Sequence, residues 1–332
     1  MKTEILTLLR ESGGYISGQE LCSRFGVSRT AVWKVMNQLK EEGYVIEAVQ
    51  NKGYRLVENP DVLSLSELKS RIHNKWAGNE IYYYEETGST NIDAKRLAEE
   101  GACHGTVAVA DKQTSGRGRR GRTWQSPAGK DIYFTILLRP DFQPDQAAGL
   151  TLVMALSVAQ ALSKALPQSE PEKSGVGIKW PNDVVVNGKK VCGILTEMNL
   201  ETDYIQYVVT GVGINVNMEK MPEELEATAT SLLLEGGKEI GRAGLLQEVL
   251  ERYEENYEKY EKFRSLKLLQ QEYNSYLVNR DRQVRILDPK GEWGGTARGI
   301  DAAGELLVET AEGKTVKVYA GEVSVRGLYG YV

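Results

Sequence analysis

Apolar residues in the first sixty positions fall into helical stripes followed by a hairpin. Val32, Val35, Met36 and Leu39 follow an i, i+3, i+4, i+7 rhythm behind Ser28, whose hydroxyl can cap a helix, so Arg29, Thr30, Trp33, Lys34 and Asn37 share the opposite face. Ahead of this stripe, Ser17-Gly-Gln-Glu20 is a capping box opening a shorter helix through Leu21 and Phe25, with Gly26 as its stop. Beyond Gly43, Tyr44-Val-Ile-Glu and Gly53-Tyr-Arg-Leu flank Gln50-Asn-Lys-Gly53, the pattern of a β-hairpin with glycine in its turn. Helix, tight turn, helix and hairpin make a winged helix-turn-helix. Glu58-Asn-Pro-Asp61 marks its end and gives a first domain over residues 1–62.

The pattern then alternates between helix and strand. Leu65 to Ile72 reads as helix, and Ile81-Tyr-Tyr-Tyr84 as a strand leading to Ser89-Thr90-Asn91, which either cap a helix running to Gly101 or line a site, or do both. Further strands are expected at Thr106 to Ala110, Asp131 to Leu138, Val176 to Trp180, Val184 to Val186, Val191 to Met198 and Tyr204 to Val216, with Asn187-Gly188 as a hairpin turn. Gln146 to Leu166 has the length and apolar density of a core helix. A stripe of Leu246, Val249, Leu250, Tyr253 and Tyr257 predicts a helix from Ala243 to Phe263. From Arg282, short strands separated by Pro289-Lys-Gly291, Ala303-Gly304 and Glu312-Gly313 predict a small β-barrel. The chain therefore reads as an α+β multidomain protein, with a mixed or antiparallel sheet over residues 63–278 and the barrel over 279–332.

Composition narrows the class. With 41% apolar and 26% charged residues the chain can build cores, no run approaches the roughly 18 apolar residues of a membrane span, and Met1-Lys-Thr-Glu lacks a signal-peptide pattern. Cys22, Cys103 and Cys192 are widely separated and show no metal-type spacing, so buried free thiols in a reducing cytoplasm are expected. A net charge of −5 excludes a protein coated in cations, so any nucleic-acid contact must be local. Two basic islands supply it: Arg24, Arg29, Lys34 and Lys40 occur without an intervening acid, and the second lies at 112–122. His73 and His104 are the only histidines, too few for a histidine metal site, and are read as ordinary packing residues.

A winged helix places its second helix in the DNA major groove. Arg29, Thr30 and Lys34 would then read bases, with Ser28 at the helix start, Trp33 and Asn37 on the same face, and Lys52 on the wing. The alternative is a winged helix used for protein contacts; clustered cations favour DNA, and a module this small implies a dimer reading two half-sites.

The second island, Lys112-Gln-Thr-Ser-Gly-Arg-Gly-Arg-Arg-Gly-Arg122, holds one lysine, four arginines and three glycines. Glycines let backbone N–H groups converge on an anion, and the guanidinium groups add fork-shaped cations. Gly116-Arg-Gly-Arg-Arg-Gly121 formally matches a dinucleotide fingerprint, but Arg122-Thr-Trp-Gln-Ser-Pro-Ala-Gly129 has no helical stripe and the next element is a strand, so a Rossmann unit is excluded. Two other segments stand out. In Lys179-Trp-Pro-Asn-Asp183 the lysine is either a solvated charge at a strand end or, on the half-buried flank before Trp-Pro, one that needs an anionic partner. Gly211-Val-Gly-Ile-Asn-Val-Asn217 ends a strand with small residues, marking either close approach of a ligand or a bulge.

Three segments together resemble the biotin protein ligases: Gly116-Arg-Gly-Arg-Arg-Gly-Arg122 with Trp124, Lys179-Trp-Pro-Asn-Asp183, and Gly211-Val-Gly-Ile-Asn215. With the winged helix in front, the likeness extends over the whole chain to the bifunctional bacterial members that also repress the biotin operon. The resemblance implies a central domain related to class II aminoacyl-tRNA synthetases and a C-terminal SH3-like barrel. It implies an ATP- and Mg²⁺-dependent ligase that makes biotinyl-5'-adenylate and transfers biotin to a lysine of a biotin carboxyl carrier domain of acetyl-CoA carboxylase. The adenylate would also be the corepressor, driving a homodimer onto operator DNA, with no membrane partner. Ser89, Thr90, Asn91, Gln113, Arg117, Gly118, Arg119 and Lys179 would surround biotin or its adenylate, with Arg119 and Lys179 catalytic. Gly116, Arg120, Arg122, Trp124, Asn182, Gly193, Gly213 and Asn215 complete that expected site, and Arg326 would reach the nucleotide from the last domain. Metal ligands are left unassigned. Two rivals stay open: a non-enzymatic metabolite-sensing regulator, and a ligase for lipoate or another acyl group.

Overall fold

The structure is a computed structural model that describes residues 1–166, 175–202, 204–288, 291–319 and 324–327. Two compact units emerge, residues 1–73 with 241–247, and residues 74–240 with 248–332.

The first unit begins with a helix that the sequence pattern did not announce, α1 (Lys2–Ser12), which buries Ile5, Leu6 and Leu9. α2 (Gly18–Phe25) and α3 (Arg29–Glu41) are capped as expected, the Ser17 and Ser28 hydroxyls accepting from the Glu20 and Ala31 amides at 3.0 and 3.2 Å. Val32, Val35, Met36 and Leu39 face inward and pack with Leu21 and Ile46, while Arg29, Thr30, Trp33 and Lys34 remain exposed. β1 (Val45–Val49) and β2 (Gly53–Glu58) form the antiparallel wing, with Lys52 exposed at its tip. Gly53 has φ +109, and a Cβ there would lie 2.0 Å from the Ile16 carbonyl oxygen, so only glycine lets Tyr54 exchange its two backbone bonds with Ile16.

After the wing, α4 (Leu65–Arg71) carries Glu67, which is 1% exposed. Its carboxylate accepts from Arg10 at 2.8 Å, Arg71 at 2.5 Å and the Tyr44 hydroxyl at 2.5 Å, so a buried charge is matched by two guanidiniums and a phenol. Burial, and then that hydrogen bond to Glu67, push the Tyr44 pKa far above its ordinary value, keeping the phenol a donor. Glu67→Gln is expected to destabilise this unit by about 3 kcal/mol, because removing one partner leaves two poorly hydrated cations facing each other. Urea unfolding of the full chain, followed by fluorescence, checks this; an unchanged first transition refutes it.

In the second unit, β3 (Ile81–Thr87), α5 (Thr90–Glu99) and β4 (Val107–Gln113) form a parallel crossover, and β5 (Ile132–Leu138) then pairs antiparallel with β4. β6 (Val176–Lys179), β7 (Asp183–Val186), β8 (Lys189–Glu201) and β9 (Tyr204–Ile214) complete a seven-stranded mixed sheet of order β3-β4-β5-β9-β8-β7-β6. Among the described strand pairs of this sheet only β3–β4 is parallel, which is where it departs from simple antiparallel expectation.

α6 (Gly149–Ala165), preceded by a 3-10 turn from Pro144, is apolar on nearly all sides. Pro144–Ala165 is in fact long and apolar enough to span a membrane, contrary to the expectation from apolar runs alone, but 72% of that window is buried inside the protein, as in a core helix. α7 (Leu232–Gly236) is short, and α8 (Arg242–Phe263) buries the predicted stripe of Leu246, Val249, Leu250, Tyr253 and Tyr257. After α9 (Gln270–Tyr276), β10 (Gln283–Asp288), β11 (Gly291–Ile300), β12 (Leu306–Glu309), β13 (Thr315–Val318) and β14 (Ser324–Gly327) pair antiparallel in the order β13-β12-β11-β10-β14. The expected turn at Pro289-Lys290 lies outside the described residues.

The side chains expected to be inert divide. Cys192 is buried, but Cys22 is half-buried and Cys103 exposed, so the expectation of three buried thiols is corrected. His104 packs edge-on against Trp76 and accepts the Arg139 amide at Nδ1, and burial depresses its pKa, so it is a neutral packing residue.

Candidate functional site

The site grows from the strand ends of the seven-stranded sheet. At the start of α5, Ser89, Thr90 and Asn91 are all buried. The Ser89 hydroxyl makes no cap bond, which leaves it for a ligand; the Thr90 amide instead donates to Gln113 Oε1 at 3.0 Å. Gln113, at the end of β4, is held from its other end by Nε2 donating to Ser126 Oγ. Asn91 donates through Nδ2 to Glu197 at 2.8 Å, which turns its Oδ1 toward Thr135. Burial alone would raise the Glu197 pKa, but the hydrogen bonds from Asn91 and Lys95 and the charge of Arg117 outweigh it and hold the carboxyl below its usual range. These residues give a rigid polar floor with donors and acceptors fixed in direction.

Above the floor runs the arginine-rich loop. Gly118 donates to the Arg122 carbonyl at 2.7 Å and Trp124 to the Gly116 carbonyl at 2.9 Å, so the loop closes on itself with Arg120 at φ 58 and Gly121 at φ 72. Arg117, Arg120 and Arg122 are exposed, whereas Arg119 is half-buried and donates to Asn182 Oδ1 at 2.9 Å. Burial and neighbouring Arg120 lower its pKa, with Asp183 opposing, yet a guanidinium stays charged at neutral pH. Trp124 lies on bare backbone: Gly193 and Gly213 are cross-strand partners in β8 and β9, and a Cβ on either would come within 2.8 Å of the indole. Gly211 is equally constrained by Asn91 Oδ1. The register through 211–214 is regular, so these glycines serve close approach and not a bulge. Trp124 Nε1 is buried without a partner, a donor awaiting an acceptor.

The Lys179-Trp-Pro-Asn-Asp183 segment is the turn between β6 and β7. Trp180, 1% exposed, anchors it by donating from its backbone to Asn279 and from Nε1 to the Gly304 carbonyl. The anchor presents Asn182 and Asp183 to the cleft. Asn182 Nδ2 donates to Asp183 and to the Ile194 carbonyl, and Asp183 pairs at 2.6 Å with a lysine that sequence reasoning passed over, Lys190. The Lys190 ammonium also sits 5.3 Å from the Trp124 ring centre.

Two chambers result. The narrow one, about 50 Å³, is lined by Ser89, Thr90, Asn91, Gln113, Arg117 and the glycine strands. The wide one, about 270 Å³, holds Arg120, Arg122, Asp131 and Asn215 and an apolar wall of Met218, Met221, Leu225 and Ala229. Gly118, Arg119, Trp124, Asn182 and Lys190 line both, so the cations stand where the chambers meet. Gly116 and the loop border an open groove with Leu195 and Glu197. Lys179 lines none of these three spaces; it is 7% exposed at the end of β6, opposite Asp183 in the strand register. Arg326 lies within β14, paired with Arg285, and its side chain is outside the described residues. Among the described residues no cluster of three or more His, Cys, Asp or Glu side chains could hold a metal. A narrow polar chamber and a wider one with an apolar wall, meeting at Arg119 and Lys190, suit an acid meeting a nucleotide phosphate.

Comparison with known proteins agrees with this geometry. Residues 83–215 match the Biotin/lipoate A/B protein ligase family, residues 2–55 an HTH domain, and residues 281–326 the Biotin protein ligase C terminal domain. Over 332 residues the chain is 40% identical to the Bifunctional ligase/repressor BirA of Bacillus subtilis, covering 98% of each, and 30% identical to that of Escherichia coli, covering 97% and 96%. The biotin protein ligase from Aquifex aeolicus in complex with biotin and ATP matches with a TM-score of 0.64 at 35% identity, over 75% of this chain and 99% of the other.

Proposed function

Since this chain belongs to the biotin protein ligases that double as repressors, we propose that it joins biotin to ATP as biotinyl-5'-adenylate, transfers the biotinyl group to a carrier-domain lysine, and represses biotin genes from its helix-turn-helix. The observation that carries the reading is the meeting of the two chambers at Arg119 and Lys190. In this reading residues 1–62 bind DNA, 63–278 catalyse and 279–332 complete the enzyme, in the cytoplasm.

The chemistry needs charge cancellation more than proton transfer. A biotin carboxylate is already ionised at pH 7, so its attack on the α-phosphorus calls for no base. Ser89, Thr90, Asn91 and Gln113 would hold the ring system, Arg119 and Lys190 would offset the two approaching anions, and Trp124 with the apolar wall would cover the purine. Asn215, Gly193 and Gly213 shape the chambers, Arg117, Arg120 and Arg122 add positive potential, and Lys179 and Arg326 remain expected participants on the resemblance alone. Mg²⁺, arriving with the nucleotide, would neutralise phosphate charge.

The homodimer belongs to the same proposal. β8 runs past its last pair with β7 at Gly193, among the described residues no strand pairs with Leu195 to Glu201 on that side, and Met198, Leu200 and Tyr204 near its end are exposed. That open edge suits strand addition by a second copy. Incubation with labelled biotin, ATP, Mg²⁺ and a carrier domain is expected to give covalent label that excess lipoate does not suppress. Absence of biotin-dependent pyrophosphate release would leave a non-enzymatic regulator, and suppression by lipoate would reassign the substrate.

A further inference from the structure

α3 carries an exposed aromatic that charge alone does not explain. Trp33 is 56% exposed, although its neighbours on the inner face, Val32, Val35, Met36 and Leu39, are at most 5% exposed. It shares the outer face with Arg29 and Asn37, four residues to either side, and with Thr30 and Lys34. Arg29 is steadied by a hydrogen bond to Gln19 of α2 at 3.1 Å, so the face has a fixed cation at its amino-terminal end. Arg24, Lys34 and Lys40 are exposed around it with no acid between Arg24 and Lys40, and Lys52 is exposed at the wing tip.

An indole left in water on a cationic surface calls for a partner that is anionic overall and locally apolar. A protein partner with an acidic face would match the cations but leave the indole against polar side chains. Duplex DNA meets both demands, because the major groove sets the thymine C5-methyl group between rows of phosphates, and that methyl is the one apolar feature on a base edge there. Resting on the reading of the first unit as a DNA-binding domain, we propose that Trp33 is a sequence-reading residue that packs on a thymine methyl in each half-site. Arg29, Thr30 and Lys34 position it through phosphate and base-edge contacts. Specificity at that base pair then comes from shape and hydrophobic contact, and replacing the pair removes the methyl.

The test uses the full-length protein with biotin and ATP. Binding sites are selected from a random duplex library, and each thymine of the selected site is then replaced in turn by deoxyuridine, which lacks only the methyl and keeps every hydrogen bond. One thymine per half-site is expected to lose about four-fold in affinity on that replacement, the worth of one buried methyl-sized group. In Trp33→Ala the same replacement is expected to change affinity less than two-fold, while Trp33→Phe keeps most of the sensitivity. Trp33 is exposed, so neither variant disturbs the core. If the protein selects a site but no thymine is sensitive, or if Trp33→Ala stays as sensitive as the parent, the methyl contact is wrong and the DNA-binding reading stands. If no duplex is bound at all, both fail.

Discussion

Lys190→Met is expected to slow biotinyl adenylate formation by about 10²–10³-fold, the range lost when a preorganised group facing developing charge is removed. The ammonium of Lys190 lies 2.6 Å from Asp183 Oδ1 and lines both chambers, at the place where a carboxylate must approach a phosphate. Two like charges brought together in a partly dry cleft repel strongly, and a cation between them offsets that repulsion only if it is already in position. Methionine keeps an unbranched side chain of similar length against Trp124, so packing is conserved while the charge goes. Asp183 then loses its ion pair, and Lys190→Arg, which restores the charge, is expected to recover part of the rate. Single-turnover pyrophosphate release measures the effect, and a rate within three-fold of the parent would move the catalytic cation elsewhere.

That residue was illegible in the sequence for a reason that can be located. Asn187-Gly188 reads as a hairpin turn, and the two lysines that follow it carry no local signal of a site. The pairing of β7 with β8 slips between Val184 and Val185, so Lys190 faces Val185 and Cys192 faces Val184, with Val191 as the extra residue. A period-two reading cannot anticipate that slip. The nearby Lys179 attracted attention because it adjoins Trp-Pro, yet the turn anchored by Trp180 delivers Asn182 and Asp183 to the chambers. Local signals fared better where local physics decides: the Ser28 cap, the stripe on α3 and the glycine-rich loop all follow from a few adjacent residues. α1 escaped notice because Met1 provides no side-chain cap and its apolar set is short. The parallel β3–β4 pair depends on a contact across α5 that no local pattern encodes.

Arg119→Gly is expected to leave adenylate formation within about ten-fold of the parent while most of the adenylate escapes into solution. Arg119 is the loop arginine that turns inward, joining the loop to the β6–β7 turn through Asn182 at 2.9 Å and lining both chambers. Its removal takes away a cation, but Lys190 remains at the junction, so activation persists. What is lost is closure. Glycine adds conformational freedom to a segment that already holds Gly116, Gly118 and Gly121, and it deletes the bond that draws the loop over the cleft. An acyl phosphate anhydride in an open site meets water and diffuses away before a carrier lysine arrives. The discriminating measurement is the ratio of free adenylate to biotinylated carrier, expected to rise at least ten-fold, with amines on unrelated proteins becoming labelled. A parallel fall in adenylate formation and carrier modification, with that ratio unchanged, would make Arg119 a binding residue for the first step alone and return the shielding role to Trp124 and the rest of the loop.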